Sequence, residues 1–322
     1  MFQQTPLKLA TLALIILGLL LYAILGGYFA RELVIEVAVL AILAMSLDMV
    51  AGYGGMVSLC HGAIFGLGAY MYAIVNVLGE GSPISGTLAA LAVSGLFGLL
   101  VGAITSRTHG IYFIMTTLAF GQMAYVLIFD ASSLGGDDGM WGLGRGDLSG
   151  LGINLEDSLQ FAILCLLCVP LSYAVLSGVL RSGFGRSLVG IRENEGRMRA
   201  LGITIWKIKA IGFALSGTVA GLAGVLAAQH TMFVSPELMT WTVSGEVLVV
   251  VILGGLGTLI GPAVGAVLLI FLKHALSSFT DYWHIVIGVL LILVVMSGGR
   301  GVYGGLELFW ERRRNSLNKQ EV

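Results

Sequence analysis

Of 322 residues, 57% are hydrophobic and 11% charged, against roughly 25% charged in an average soluble domain, and the mean hydropathy is +0.96. Such a chain cannot hide its apolar surface from water by folding alone, so a soluble globular protein is excluded and membrane lipid is the first partner. The formal net charge of -1 leaves no basic excess to neutralise phosphates, which excludes nucleic acid.

About 20 apolar residues cross a bilayer core as a helix. Apolar runs between polar or Gly/Pro breaks predict ten helices, near 8–27, 33–52, 58–78, 84–105, 110–129, 159–180, 207–228, 240–255, 261–279 and 283–299. The first, with Lys8 ahead of Leu9 to Tyr22, has the look of a secretory signal, but it lacks an evident small-residue cleavage site and is long enough to span, so it reads as a retained helix. The strip 240–255 is shorter than a full span and runs into Gly254-Gly255-Leu256-Gly257-Thr258-Leu259-Ile260-Gly261-Pro262, which predicts a helix broken at or inside the membrane. The expected fold is all-α and polytopic, a single transmembrane domain over 1–322 interrupted by polar segments at 130–158 and 181–209.

Orientation follows from where lysine and arginine sit in short loops. With the N-terminus in the cytoplasm, one side collects Lys8, Arg107, Arg181, Arg186, Arg192, Arg197, Arg199, Lys207, Lys209, Arg300, Arg312, Arg313, Arg314 and Lys319, leaving Arg31, Arg145 and Lys273 opposite. Segment 130–158, with Asp130, Asp137, Asp138, Asp147, Glu156 and Asp157, then falls outside as a periplasmic loop, and both termini fall inside. Its stretch from Gly135 to Gly142 reads either as a contact for a periplasmic binding protein or as a solvated loop.

Glycine is about twice as abundant as usual, 47 residues, and recurs four apart at Gly62/Gly66, Gly98/Gly102, Gly217/Gly221 and Gly261/Gly265, a spacing that lets helix backbones approach closely. Cys60, Cys165 and Cys168 lack metal-ligand spacing and read as buried core. Ionisable or polar groups within spans are costly and therefore candidates for function. Of these, Glu36, Lys273 and His274 fall near outer helix ends, where snorkelling to the interface accounts for them. Asp48, His61 and Glu246 fall near helix breaks, and Gln122 lies within a span. A Gly-Lys dipeptide, and with it a phosphate-cradling loop, is absent from the sequence, so ATP hydrolysis is not expected of this chain; nor is a nucleophile motif recognisable. The chain is expected to carry no cofactor, metal or catalytic residue.

The segment 181–209 is the one sizeable polar stretch facing inward between spans. Its core, Gly185 to Ile203, spaces Leu188, Ile191, Met198 and Leu201 among charges and predicts a short amphipathic helix closed by Gly202. Gly52-Tyr53-Gly54-Gly55-Met56-Val57-Ser58-Leu59-Cys60-His61-Gly62-Ala63, Gly110-Ile111-Tyr112-Phe113 with Thr117-Leu118-Ala119-Phe120-Gly121, Phe184-Gly185-Arg186 to Ile203, and Ser244-Gly245-Glu246 through Gly261-Pro262 resemble, in order, the permeases of branched-chain amino acid ATP-binding-cassette importers, specifically the LivM type. The resemblance covers most of the chain.

That resemblance implies a type II importer-like fold of about ten helices with an inverted internal repeat, in a bacterial inner membrane. It implies a second related permease subunit, two cytoplasmic ATPase subunits that hold ATP-Mg, and a periplasmic substrate-binding protein. Arg192, Glu193, Glu195, Ala200, Leu201 and Gly202 match the family's helix that docks on the ATPase, although Gly196-Arg197-Met198-Arg199 departs from the alanines common there. Gly54, Gly55, Ser58, His61, Gln122, Glu246, Gly254 and Gly255 are the expected translocation-path residues. The expected solutes are branched-chain amino acids, with urea, short amides or aromatic acids as alternatives on similar machinery. An ion-coupled secondary transporter using Asp48, His61 and Glu246, or a passive channel, would need no inward docking segment.

Overall fold

The computed structural model describes residues 6–79, 82–145, 155–279, 283–296 and 301–305. Residues 146–154 with Asp147, and 297–300 and 306–322 with the C-terminal arginines counted above, lie outside the described residues.

The chain runs α1 (Pro6–Leu25), α2 (Tyr28–Asp48), α3 (His61–Ala73), α4 (Pro83–Thr105), α5 (Ile111–Phe129), α6 (Ser158–Arg181), α7 (Gly183–Glu193), α8 (Glu195–Ala200), α9 (Ile205–Thr231), α10 (Trp241–Gly254), α11 (Gly261–Ser277) and α12 (Trp283–Met296). Each of the ten expected apolar segments coincides with one helix. Among the described residues, six helices are long and apolar enough to cross a membrane, and α3, α10, α11 and α12 are shorter apolar helices. The protein is an all-α, multi-pass membrane protein. Several boundaries move: α2 starts at Tyr28 rather than near 33, α3 at His61 rather than near 58, and α9 runs from Ile205 to Thr231 rather than over 207–228, with Lys209 in its first turns.

Local chemistry explains the starts. Ser82 accepts from the Ser85 amide at 3.2 Å and Pro83 follows at the first helical position of α4; Asp157 accepts from the Leu159 amide at 3.0 Å and opens α6. Beyond α5 a two-residue ribbon pairs β1 (Met140–Trp141) antiparallel with β2 (Phe233–Val234), and the Trp141 and Phe233 rings lie 4.1 Å apart. That pairing fixes 140–141 and 233–234 at one end of the bundle. Arg145 at this end is not an outward charge as its loop position suggested. It is buried, donates to the carbonyls of Gln229 and Leu155, and lies 4.7 Å over the Phe161 ring.

The core is organised around α2, 83% of whose span is buried, with α6, α9, α10 and α11 packed on it; α1 and α5, at 22%, are peripheral. The most extensive helix pairing is α4 on α9, where a side chain at Gly98 would stand 2.5 Å from the Phe213 carbonyl oxygen. The glycine spacing read from the sequence is used there for close approach of backbones.

Candidate functional site

Two breaks in the helical frame meet α7 and α8 at the basic end of the bundle. The first break follows α2. A π-helical turn over Met49–Tyr53 leads into an irregular stretch, 54–60, before α3 begins at His61. Irregular backbone in a membrane protein must find its partners inside the protein. Here the Met56 amide donates to Val50 O (2.9 Å), Leu59 to Thr117 Oγ1 (3.2 Å) and Cys60 to Ser58 Oγ (3.2 Å). Within the first turn of α3, the Gly62 amide donates to Ser244 Oγ of α10 at 2.8 Å, so a serine from another helix supplies the cap that Cys60 cannot.

This packing places Ser58 and His61 in the core. Both are fully buried. The His61 ring nitrogens lie 3.2 Å from Ser58 Oγ and 2.8 Å from Ser216 Oγ, and Ser216 donates to the Ser46 carbonyl at 2.6 Å. His61 therefore ties α3 to α9 and α2, a bracing role in this conformation.

The second break separates α10 from α11. As expected, α10 is short: its 14 residues rise about 21 Å, less than the roughly 30 Å of a hydrocarbon core. The chain leaves it at Gly255 (φ 126°), and Gly257 (φ 77°) and Leu259 (φ 65°) also take positive φ, a costly setting for leucine. Gly254 and Gly255 are buried at the turn; a side chain at Gly254 would stand 1.8 Å from Gly261 O. Asp48, wholly buried at the end of α2, holds this loop: Oδ1 accepts from the Gly257 amide at 2.6 Å and Oδ2 from Leu259 at 2.9 Å.

The segment 183–200 forms two helices rather than one. Leu188 and Ile191 of α7 are buried and Met198 of α8 packs on Gly190, but Leu201 points away and is 69% exposed. The kink at Asn194 caps α8, its side chain accepting from the Arg197 amide at 2.9 Å. The far end closes at Gly202 (φ 79°), with Gly202 N donating to Arg199 O and Ile203 N to Met198 O, a Schellman closure. Both caps make α8 a short rigid finger tipped by Ala200 and Leu201.

A cavity of about 380 Å³ opens between these parts, bringing Gly54 and Gly55 together with Arg192, Glu193 and Glu195. The two expected sets, path and docking, thus share one wall here. Arg192 donates to the Gly52 carbonyl, and a side chain on Gly55 would press on its stem. Glu193 is exposed. Glu195 turns inward: its carboxylate takes Lys209 Nζ at 3.0 Å, His109 Nε2 at 2.7 Å and Arg199 Nη2 at 3.4 Å. It braces α8 against α9 and the 106–110 turn instead of facing outward.

Burial alone would raise the Glu195 carboxyl, but the hydrogen bonds from Lys209 and His109, with their charges, outweigh it and hold the group below its ordinary 4.5. A carboxyl lowered by folding contributes stability above its unfolded value, and that contribution is lost as pH falls through the folded one. Glu195→Gln should therefore lower Tm in detergent at neutral pH, with the gap to the unsubstituted protein closing as the solution is acidified below that range. A gap independent of pH would show that the brace is not electrostatic.

Of the remaining expected path residues, Gln122 is half-buried on peripheral α5 and Glu246 is exposed on α10. Glu246 lies in the second turn of α10, past its start at Trp241. Glu36, Lys273 and His274 do not snorkel separately: Lys273 and His274 of α11 each meet Glu36 of α2 at 3.3 Å. A second pair, Glu32 with His230 at 3.3 Å, was not legible in the sequence because His230 falls just past the expected end of its helix. Asp48's partners were not legible there either, because they lie some 210 residues away and are backbone amides.

The described residues form a largely helical, multi-pass bundle with interrupted helices and a capped finger at its basic end, the architecture of an integral membrane protein. The family described as branched-chain amino acid transport system / permease component matches residues 29–295. The chain is 30% identical to the high-affinity branched-chain amino acid transport system permease protein LivM of Escherichia coli K12, over 90% of this chain and 74% of that one. It is 23% identical to the LivH permease protein of the same strain, over 83% and 92% of the two chains, and 25% identical to its ribose import permease protein RbsC, over 81% and 82%. No solved structure gave a significant match. The chain belongs to the family of branched-chain amino acid transport system permease components, and is a membrane-embedded subunit of a transport system.

Proposed function

We propose that the chain forms half of the translocation path of an ATP-driven importer for branched-chain or related amino acids in a bacterial inner membrane. A second related permease completes the path, two cytoplasmic ATPase subunits bind and hydrolyse ATP-Mg, and a periplasmic binding protein delivers the solute. The observation that carries this reading is the α8 finger: capped at both ends, braced through Glu195 to Lys209, and presenting Leu201 and Ala200 outward beside the exposed Glu193. A stand-alone ion-coupled transporter has no use for such a projection. The solute class rests on the names of the LivM and LivH relatives; the ribose import permease among the relatives shows that similar chains are named for a different solute.

On this reading, the basic end is cytoplasmic and Leu201 enters an apolar groove on the ATPase. Burying one leucine contributes about 1.5–3 kcal/mol, so Leu201→Asp should weaken ATPase docking by roughly 10- to 100-fold or more. The chain is purified with and without the substitution from its own membranes in mild detergent, and its companions are identified by mass spectrometry. Stoichiometric ATPase and a second permease with the unsubstituted chain, the ATPase lost from Leu201→Asp, and uptake of labelled leucine lost with it are the expected results. ATPase retained by Leu201→Asp would remove the finger from the interface, and a chain that purifies alone would overturn the reading.

A further inference from the structure

We propose that Asp48 and Arg192 form a relay through which movement of α7 reaches the loop between α10 and α11, so that both act as positioning residues of the transport cycle. The inference deepens the importer reading and rests on it.

Three elements distant in sequence converge at this point. Arg192, near the end of α7, donates to the carbonyl of Gly52 in the π turn that ends α2. A π turn leaves carbonyls offset from their usual partners and is a common place for a helix to yield. One turn earlier, Asp48 grips the amides of Gly257 and Leu259 with one oxygen each. Contact is continuous between the two grips: a side chain on Gly52 would stand 2.2 Å from Asp48 Oδ1 and 2.5 Å from Gly257 N, and one on Gly257 would stand 3.6 Å from Arg192 Nη1. There is no slack along this line, so a shift of α7 must either carry the loop with it or break a hydrogen bond.

The loop is also the part of the frame with most reason to move. Leu259 holds φ 65°, after glycines 255 and 257 at 126° and 77°. A non-glycine residue keeps such a backbone only while its surroundings enforce it. Here the enforcing contact at the residue itself is Asp48 Oδ2 on its amide. Releasing that bond frees Leu259 to relax and the break between α10 and α11 to change shape. One carboxylate therefore holds a strained loop, and one guanidinium connects its anchor to the helix whose neighbour reaches outward. Coupling of this kind requires a two-state element biased from a distance, and the strained loop supplies one.

The test uses the full complex, purified with its companion subunits and reconstituted in vesicles. Leu256 lies in the loop and is partly exposed, so Leu256→Cys reports its accessibility to a maleimide; Cys60 and Cys165 are buried and Cys168→Ser removes the remaining background. Adding a non-hydrolysable ATP analogue should change the labelling rate several-fold. Arg192→Gln and Asp48→Asn should each abolish that change and raise the ATP hydrolysed per solute moved. The double variant should be no worse than the more severe single one, and Arg192→Lys, which keeps a donor for Gly52 O, should restore part of the response. Arg192 is at the surface, so its two variants carry the test even if Asp48→Asn fails to accumulate. A labelling response that survives both single substitutions, or effects that multiply in the double variant, would overturn the relay. So would an unresponsive Leu256→Cys in a complex that hydrolyses ATP and moves solute, and that result leaves the importer reading standing. If no ATPase accompanies the chain, both fall.

Discussion

Gly224→Ala should remove most of the folded protein from the membrane, whereas Gly178→Ala should leave yield and stability intact. The chemistry of the two changes is identical, and in a helix it favours the folded state by about 1 kcal/mol, because alanine loses less backbone entropy than glycine. The surroundings reverse the sign at one site. At Gly224 of α9 the new methyl would stand 2.0 Å from Phe65 O and 2.9 Å from Ala69 N, both backbone atoms of α3. Neither can rotate away, so the two helices must part. The same crossing is closed from the other side by Gly68, whose added carbon would stand 2.6 Å from Gly221 O. Overpacking a tight core costs roughly 1–3 kcal/mol and more where backbone must move, against a total stability of about 5–15 kcal/mol. At Gly178, on the exposed side of α6, nothing lies within 4 Å. Monodisperse yield and Tm in detergent measure both variants. Equal behaviour would mean that α3 and α9 are not held at this separation.

Much of this architecture was legible in the residues. Hydropathy and Gly/Pro punctuation are local signals, and they located all ten apolar helices, including α10 with its break at Gly255. Of the residues that the family motifs single out, Gly54, Gly55, Arg192, Glu193 and Glu195 line one cavity. What the sequence could not reveal is the direction in which a polar side chain turns. Glu193 and Glu195 read alike, yet only Glu195 reaches Lys209 and His109, because the kink at Asn194 rotates α8 against α7. His61 sits beside a break, and its partners were not legible: Ser58 and Ser216 satisfy both its nitrogens in the core. Pairs such as Glu36 with Lys273 and His274 join α2 to α11, and no local pattern brings those helices together.

Glu246 supplies the second large effect, for Glu246→Leu should let the complex assemble while cutting solute uptake about 10- to 100-fold, the cost of losing one charge-assisted hydrogen bond of roughly 1.5–3 kcal/mol. The argument begins with where the carboxylate stands. It is exposed in the second turn of an apolar helix, between buried Ser244 and Val247, and the surface it stands on belongs to a chain that lies in a membrane. Facing an acidic group to lipid near a helix centre costs about 2.5–3.5 kcal/mol on insertion scales, so the sequence keeps it there only if that side of α10 meets water or a protein partner. Leucine removes the penalty and cannot harm insertion on either account. The two accounts separate downstream. If Glu246 lines the path, Glu246→Leu keeps its companion subunits through purification and loses uptake, and Glu246→Asp retains part of it. If it bridges to the second permease, the companions are lost along with transport. Wild-type uptake by Glu246→Leu would remove the residue from the translocation path.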